Sequence, residues 1–371
     1  MYTIRDFIKQ VEQSNGIVCY GVGKRFRLFE EFSQEIKIFN KVIFCIDKKK
    51  ELEGTQIDFL NQKLKIFSKE KLKDIQGKNV ILIITNAQYK DILAELEMEN
   101  YLQKINIFCL SHLEFMLLEE KAMNVKIPNN FKLIQEAIIP KIIHYCWFGK
   151  NPIPDKYKSW MESWKKFCPD YEIIEWNENN YDIQKNQYMY EAYQNKKWGF
   201  VPDYARLDII YKYGGIYLDT DVELVKNLDD MLYQKGFAGF ESNDFVNLGL
   251  GFGAVKHLPI IKQMRDQYND MHFITSNDGK LVASPHYQTG LLQEKGLQLN
   301  GEYQIVEDLV IYPEKMFSGK SIKTQRIRLN DYTKSIHHYD GSWIDEEAKS
   351  KVKEFEKEID SLGYIKMRGN L

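Results

Sequence analysis

The chain has 371 residues, of which 44% are hydrophobic and 28% charged, so it is long enough to form two domains with cores of their own. Its 51 basic and 53 acidic side chains leave a net charge of −2, which argues against a protein whose main function is to bind nucleic acid. Five scattered cysteines lack CxxC spacing, and the charged start MYTIRDFIKQ lacks a long apolar stretch. These features argue against a disulfide framework and a signal peptide, and a cytoplasmic protein is expected.

The first 120 residues alternate short β-type runs with helical segments, which predicts a small Rossmann-like α/β domain. Its predicted strands cover residues 17–20, 42–46, 80–85 and 105–110. Gly21 and Gly23 follow the first strand and Asp47 follows the second, as in a dinucleotide-binding turn. Phe26 stands where a third glycine is expected. This favours a domain of unclear role, kept as a scaffold or docking module, over a cofactor site.

The chain then passes through a predicted linker into a second region. Residues 121–137, KAMNVKIPNNFKLIQEA, contain a proline and paired asparagines, which are typical of a linker. A second mixed α/β region is predicted from residue 138 to residue 371. Its tail is predicted to form an amphipathic helix, because apolar residues recur at helical spacing at Val352, Phe355, Ile359 and Leu362. Peripheral membrane contact through the few basic residues of this tail, among them Lys366 and Arg368, is a weaker alternative.

Within this second region, the segment GFVPDYARLDIIYKYGG predicts a helix. Pro202 suits its first turn and Gly214 suits its end. Asp203 and Arg206 are three residues apart and therefore share one face of this helix. Alone, such a pair is ordinarily a surface ion pair of little energetic weight. Its position directly before a strand that ends in acids favours a functional site instead.

The next segment, GGIYLDTDVEL, places two acids at the end of a predicted apolar strand. If the strand continued, Asp219 and Asp221 would point to the same side, at a cost in free energy unless a cation lies between them. Mg²⁺ and Mn²⁺ bind carboxylate oxygens together with substrate phosphates. The Asp-x-Asp motif therefore predicts a divalent metal that bridges a diphosphate and acts as a Lewis acid on the leaving group.

The whole stretch PDYARLDIIYKYGGIYLDTDVEL resembles the signature of the DXD-motif sugar transferases of glycosyltransferase family 32, with a more distant similarity to the clostridial glucosylating toxins. The resemblance covers about residues 138–343. It implies a GT-A type nucleotide-diphospho-sugar transferase domain, a nucleotide-sugar donor, a divalent metal and retention of the anomeric configuration. It further implies that Asp203 and Arg206 hold sugar hydroxyls or the diphosphate. It also implies that Asp219 lies near the ribose or sugar and reaches the metal mostly through water, whereas Asp221 ligates the metal directly.

Two further segments resemble the family's donor site. IPKIIHYCWFG resembles its opening strand, which implies that Tyr145 and Trp147 bind the nucleotide and that the Trp147 ring stacks on the base. NLGLGFGAVKHLP begins at Asn247, which the resemblance places near the donor sugar. SPHYQTG, which contains Gln288 and Thr289, resembles an acceptor-side loop, although a plain turn before a helix explains it equally well.

The run HHYDGSW resembles the family's closing loop. The resemblance implies that His338 or Asp340 completes the metal shell, with His338 preferred to His337, while Ser342 and Trp343 hold the diphosphate. The loop lacks the glutamate of the toxins, so the third protein ligand of the metal stays open.

The sequence thus predicts a metal-dependent retaining hexosyltransferase with Mn²⁺ or Mg²⁺ as cofactor. A UDP-hexose is favoured as donor and GDP-mannose comes second. The acceptor is expected to be a saccharide or lipid-linked saccharide, in capsular, exo- or lipopolysaccharide assembly. One alternative is a toxin-like effector that glucosylates proteins, and another is a non-catalytic binding module. LDTDVE also resembles the nucleophile motif of haloacid-dehalogenase-type phosphatases, but Asp229 and Asp230 follow too soon for the second acidic pair of that layout.

Overall fold

The computed structural model describes residues 2–99, 105–273, 282–341, 350 and 353. The chain divides into two compact units, the first built from the N-terminal part up to Lys121 and the second running from Ala122 to Ser350. Several predictions fall outside the described residues: the diphosphate contacts of Ser342 and Trp343, the tail helix with Val352, Phe355, Ile359 and Leu362, and the basic residues Lys366 and Arg368.

The first unit contains a largely parallel sheet. Its strands are β1 (Gly16–Tyr20), β2 (Val42–Ile46), β3 (Gln56–Phe59), β4 (Gln62–Phe67), β5 (Val80–Ile84) and β6 (Asn106–Cys109). The spatial order is β3-β4-β2-β1-β5-β6, and only the edge strand β3 runs antiparallel to its neighbour. Its helices are α1 (Ile4–Gln13), α2 (Lys24–Glu35), α3 (Tyr89–Glu97) and α4 (Leu110–Asn124). Every residue of β1 and β5 is buried, as expected for central strands covered on both faces.

The glycine turn after β1 is held in place by hydrogen bonds to a carboxylate of the same domain. Asp47 accepts hydrogen bonds from the backbone N–H of Val22 at 2.9 Å and of Lys49 at 3.0 Å. Gly21 has a φ of +106°, a conformation that favours glycine. Phe26 is fully buried and lies 5.4 Å from the Phe59 ring. Asp47 therefore holds the local backbone and Phe26 fills the core, while the role of this domain stays a prediction.

The predicted linker is partly helical. Helix α4 continues to Asn124, four residues into the segment 121–137. Further along, the N–H of Ile134 donates to the carbonyl of Tyr233 at 2.9 Å, and the ring of Phe131 meets that of Tyr312 edge-on at 5.8 Å. The segment after Asn124 is therefore packed within the second unit, to which it belongs.

The second unit contains a mixed sheet with the order β14-β15-β11-β13-β9-β7-β8, and β12 pairs with β11. These strands are β7 (Ile142–Cys146), β8 (Glu172–Trp176), β9 (Gly215–Tyr217), β11 (Gly236–Ser242), β12 (Phe245–Val246), β13 (Phe252–Ala254), β14 (Gln304–Val306) and β15 (Leu309–Tyr312). A separate antiparallel pair joins β10 (Val222–Leu224) to β16 (Ser335–His337). The helices are α5 (Asp155–Phe167), α6 (Gln187–Gln194), α7 (Pro202–Tyr213), α8 (Pro259–Asp266), α9 (Ser284–Glu294) and α10 (Glu314–Phe317).

Helix α7 packs against the central strands β7 and β9 of this sheet, and apolar residues of all three are buried. The α/β class predicted from the sequence is confirmed. In the described part of the chain, we find no helix with the length and apolar character needed to cross a membrane.

Candidate active site

Helix α7 and strand β9 are joined by two glycines that the geometry requires. Gly214 ends the helix with a φ of +66°, and its N–H donates to the carbonyl of Ile210. Gly215 has a φ of +101°, and a Cβ there would lie 2.8 Å from the carbonyl oxygen of Ile142 and 3.0 Å from Nε2 of His144. Only residues without a side chain let β9 enter the sheet directly after the helix. The chain thereby carries the helix face and the end of β9 to the same region.

Helix α7 presents a buried ion pair. Arg206 Nη2 donates to Asp203 Oδ1 at 2.7 Å and to the hydroxyl of Ser284, and the Tyr188 hydroxyl donates to Asp203 Oδ2 at 3.2 Å. Asp203 and Arg206 are only 4% and 3% exposed, so the pair is buried rather than a surface ion pair. Burial raises the pKa of Asp203 to about 6, although Arg206 opposes this shift.

The two acids of the Asp-x-Asp motif lie beyond the end of the strand. Strand β9 ends at Tyr217, and Asp219 and Asp221 belong to the turn that precedes β10, where the N–H of Val222 donates to the carbonyl of Asp219 at 3.1 Å. The turn, and not the alternation of a continued strand, brings the carboxylates together. Oxygens of both carboxylates and a ring nitrogen of His337 lie within 4.8 Å of one another.

An imidazole and a guanidinium flank the two carboxylates. His337 Nε2 lies 3.1 Å from Asp221 Oδ1, and Arg206 Nη1 lies 3.8 Å from Asp219 Oδ2. Burial acts to raise the pKa of Asp221, but the His337 charge and hydrogen bonds outweigh it and lower the pKa to about 2. The pKa of Asp219 is raised, chiefly by burial and also by Asp221. Burial acts to lower the pKa of His337, but Asp221 prevails and raises it.

The predicted ligands His338 and Asp340 make other contacts. His338 Nε2 lies 2.9 Å from Glu223 Oε2, and the His338 ring stacks on Trp160 with 4.1 Å between centroids. The Asp340 carboxylate pairs with Lys156 and accepts from the Tyr157 hydroxyl at 2.6 Å. Their backbones do reach the motif, since the N–H of His338 donates to the Asp221 carbonyl and that of Asp340 to the Asp221 carboxylate.

The structure therefore brings His337, rather than the preferred His338, to the acids. The reason is the pairing of β16 with β10, in which His337 stands opposite Val222. Successive side chains of an extended segment point to opposite sides. His337 and His338 consequently face different surroundings.

Asn247 lies beside Asp219. Its Oδ1 accepts from the N–H of Gly249 at 2.7 Å, and its Nδ2 donates to Glu241 Oε1 at 2.7 Å. A Cβ at Gly249 would collide with Asp219 Oδ2 and would stand 3.0 Å from Asn247 Oδ1. Burial raises the pKa of Glu241. The structure thus places Asn247, Asp203, Arg206, Asp219 and Asp221 in one connected polar region.

The two aromatic residues predicted to bind the nucleotide differ in exposure. Tyr145 is buried, its hydroxyl donates to Glu175 Oε2 at 2.7 Å, and its ring contacts Trp164 edge-on at 5.6 Å. Trp147 is half-buried, its Nε1 donates to the carbonyl of Asn151 at 2.6 Å, and its ring meets Tyr157 edge-on at 5.7 Å. Of the two, Trp147 has the ring that is accessible to a ligand.

Helices α6 and α9 each supply a residue to the site that the sequence did not indicate. SPHYQTG forms the first part of α9, so neither the expected loop nor the plain turn is found there. Ser284 contacts Arg206, and Tyr188 of α6 contacts Asp203. No local pattern distinguishes these two residues, because their role depends on the packing of α6 and α9 against α7.

The donor set fits a divalent cation. Two carboxylates and one imidazole can each offer one atom within a small volume, and such ligands suit hard or borderline dications. Arg206 and Asn247 would remain available to hydrogen-bond a polar ligand beside it. The arrangement can hold a metal with an anionic, hydroxyl-bearing ligand.

Residues 154–238 match the family model described as "Glycosyltransferase sugar-binding region containing DXD motif". The matched region contains Asp203, Arg206, Asp219 and Asp221. This match confirms the resemblance to DXD-motif sugar transferases that the sequence predicted.

Curated relatives cover parts of the chain. Inositol phosphoceramide mannosyltransferase 3 of Schizosaccharomyces pombe is 33% identical over 135 residues, which are 34% of this chain and 35% of the relative. An uncharacterized glycosyltransferase, L373, of Acanthamoeba polyphaga mimivirus is 26% identical over 50% of this chain and 77% of its own. The chain spans 35%, 44% and 33% of the lengths of three fission-yeast relatives. Among solved structures, the PaToxG glycosyltransferase is 18% identical and covers 50% of this chain and 77% of its own, with a TM-score of 0.33.

Proposed function

We propose that the protein is a metal-dependent retaining hexosyltransferase, a proposal supported by the match of residues 154–238 to the family model of a glycosyltransferase sugar-binding region containing a DXD motif. It would move a hexose from a nucleotide diphosphate sugar to an acceptor hydroxyl in a GT-A type domain. One observation carries this proposal: potential ligand atoms of Asp219 and Asp221, which follow strand β9, and of His337, which ends strand β16, lie within 4.8 Å of one another.

Asp219, Asp221 and His337 would hold the metal, Mn²⁺ or Mg²⁺. The imidazole favours Mn²⁺, because Mg²⁺ prefers a shell of oxygen ligands. When bound, the cation would supply Lewis-acid stabilisation of the departing nucleoside diphosphate. The chain's own part is to hold both carboxylates in place: Asp221 accepts the N–H of Asp340 at 3.1 Å and lies 3.1 Å from His337.

The remaining polar groups would bind and orient the donor. Arg206 is fixed by Asp203 and Ser284, so its guanidinium is positioned before the ligand arrives. A guanidinium group can contact the diphosphate or the sugar hydroxyls through two parallel hydrogen bonds. Asn247, held by Glu241 and Gly249, would offer its amide to the same sugar. Trp147 would stack on the base.

The donor and acceptor are proposed in order of preference. A UDP-hexose is favoured from the sequence resemblance, and the mannosyltransferase names of the fission-yeast relatives support GDP-mannose beside it. Those names also refer to a lipid acceptor, which is compatible with transfer to a saccharide or lipid-linked saccharide in polysaccharide assembly. A cytoplasmic location, with peripheral membrane contact as a variant of it, is proposed because the five cysteines are scattered and lack CxxC spacing.

A toxin-like effector that modifies host proteins is the second candidate function. One observation favours it: a protein named "Subversion of eukaryotic traffic protein A", from Legionella pneumophila, is 28% identical over 27% of this chain and 19% of its own. The two candidates share the donor chemistry and differ in the acceptor. Incubation with labelled donor and either host-cell lysate or lipid-linked saccharides separates them.

The decisive experiment is a panel of UDP- and GDP-hexoses screened for hydrolysis with and without Mn²⁺. We expect metal-dependent release of the nucleoside diphosphate from one donor, loss of that release in Asp221→Asn, and retention of it in the control Asp155→Asn, whose side chain is 98% exposed. A generic aryl phosphate belongs in the same panel. Phosphate release from it, without turnover of any nucleotide sugar, would replace the transferase proposal with a phosphatase.

A further inference from the structure

Helix α9 buries a glutamine whose side-chain amide is unpaired within the described part of the chain. Gln288 is 0% exposed, and neither its Oε1 nor its Nε2 has a hydrogen-bond partner among the residues that the structure describes. A buried amide without partners is costly and uncommon in folded proteins. Its presence therefore points to a polar ligand that is bound at this position when the protein works.

The two residues that anchor α9 place Gln288 next to the proposed donor site. One helical turn before it, Ser284 contacts Arg206, and residues four apart lie on one face of a helix. One residue after it, the Thr289 hydroxyl accepts from the N–H of Val246 at 2.9 Å. Val246 directly precedes Asn247. Gln288 thus lies between the helix contact to Arg206 and the contact to the Asn247 segment.

Two more polar groups in this region are buried and unpaired in the described structure. They are Nε of Arg206 and the hydroxyl of Tyr268, whose residue is 0% exposed. Tyr268 lies close to the ion pair of α7, because its ring centroid is 5.0 Å from that of Tyr188, whose hydroxyl donates to Asp203. Donors and acceptors of three different residues thus remain unused around one buried ion pair.

We propose that Gln288 is a specificity-determining residue that hydrogen-bonds hydroxyl groups of the sugar being transferred. This inference rests on the proposed function and adds to it the residue that distinguishes one hexose from another. A primary amide offers two N–H donors and one carbonyl acceptor in fixed directions. A sugar hydroxyl both donates and accepts, so a pair of neighbouring hydroxyls can satisfy the amide, and an epimer that turns one hydroxyl away cannot.

The test compares Gln288→Leu and Gln288→Glu with wild type. Leucine has a similar size and removes both hydrogen-bonding groups, and glutamate keeps the shape but replaces the N–H donors. Gln293→Leu, an exposed glutamine on the same helix, is the matched control. Three quantities are measured with Mn²⁺ present and no acceptor: the Kd of the nucleoside diphosphate, the Kd of the nucleotide sugar that wild type prefers, and the rates of hydrolysis of its epimers.

In both Gln288 variants we expect the Kd of the nucleoside diphosphate to stay within about twofold of wild type. The Kd of the preferred nucleotide sugar should rise at least about tenfold, and discrimination against its epimers should fall by a similar factor. The ligand-free Gln288→Leu protein should melt at the same temperature as wild type or higher, because an unpaired buried amide has been removed. Gln293→Leu should match wild type in all measurements.

Several results would overturn the inference. If a buried water or a structural contact satisfies Gln288, the leucine variant melts lower and binds and discriminates sugars as wild type does. If the Kd of the nucleoside diphosphate and the Kd of the nucleotide sugar rise equally, Gln288 does not recognise the sugar. A wild type that binds and hydrolyses no nucleotide sugar removes the proposed function together with this inference. A wild type that turns over a donor, with Gln288 variants indistinguishable from it, removes this inference alone.

Discussion

The carboxylate of Asp219 occupies the space that a side chain at Gly249 would need. A Cβ at Gly249 would collide with Asp219 Oδ2 and would approach Asn247 Oδ1 to 3.0 Å. Gly249 is therefore required by the close approach of two site residues and not by its own backbone angle. This relationship connects the Asp-x-Asp turn to the segment that begins at Asn247.

Gly249→Ala should displace Asp219 or Asn247 and lower metal-dependent hydrolysis of the nucleotide sugar by about a hundredfold, since misplacement of a reacting group by about 1 Å costs that much. The measurement is kcat/KM with the preferred donor. Gly290→Ala is the control, because a Cβ at Gly290 meets nothing within 4 Å. Wild-type kcat/KM in Gly249→Ala would show that the site tolerates the shift and that Asp219 is not held there for catalysis.

His337→Ala should weaken Mn²⁺ binding by more than about tenfold, because it removes one of the three grouped donor residues. The readout is the Mn²⁺ concentration that gives half of the maximal rise in melting temperature, since a metal that binds only the folded state stabilises it. His338→Ala is the matched neighbour. Its side chain contacts Glu223 and Trp160, so its Mn²⁺ titration should resemble wild type. If His338→Ala weakened Mn²⁺ binding and His337→Ala did not, His338 would be the ligand.

Local sequence signals were sufficient where the structure depends on local chemistry. Pro202 and Gly214 delimit helix α7 as predicted, because proline suits a first helical turn and glycine a C-terminal cap. The apolar runs at Val42–Ile46 and Val80–Ile84 form strands at the predicted places. The Asp-x-Asp turn was found for the same reason, since it directly follows such a run.

The sequence could not give features that depend on distant pairing. The choice between His337 and His338 depends on the register of β16 against β10, which joins segments more than 100 residues apart. Ser284 reaches Arg206 through the packing of α9, and nothing in SPHYQTG itself reports the burial of this serine. Asp219 and Asp221 are close for a different reason than the predicted one, because a turn replaces the continued strand.

Arg206→Met should destabilise the second unit by about 3–5 kcal/mol, because Asp203 then stays buried without its partner. Both side chains are at most 5% exposed. The double variant Asp203→Asn, Arg206→Met removes both charges and should regain much of that loss, while hydrolysis of the nucleotide sugar stays abolished in both proteins. Urea denaturation and hydrolysis rates check the two expectations. Activity in the double variant would mean that the ion pair serves stability only.

The stability of the second unit should depend on pH through His144. Its Nε2 lies 2.9 Å from the Gly214 carbonyl, and its Nδ1 accepts from Trp176 Nε1 at 3.1 Å. A neutral ring with its proton on Nε2 satisfies both contacts, whereas a second proton on Nδ1 would face the Trp176 N–H. Burial accordingly lowers the pKa of His144 from 6.5 to about 4, although the Gly214 carbonyl opposes this shift.

Between pH 6.5 and pH 4 the unfolded chain takes up a proton at His144 that the folded protein does not. The contribution of His144 is therefore fully present above pH 6.5 and is lost as the pH falls toward 4, by on the order of 3 kcal/mol. Denaturant unfolding at pH 4, 5, 6 and 7 measures this slope, and the slope should be shallower in His144→Gln. The exposed His286→Gln is the control and should keep the wild-type slope. An unchanged slope in His144→Gln would mean that other groups cause the loss of stability in acid, since the neutral His144 ring would then carry no linkage to folding.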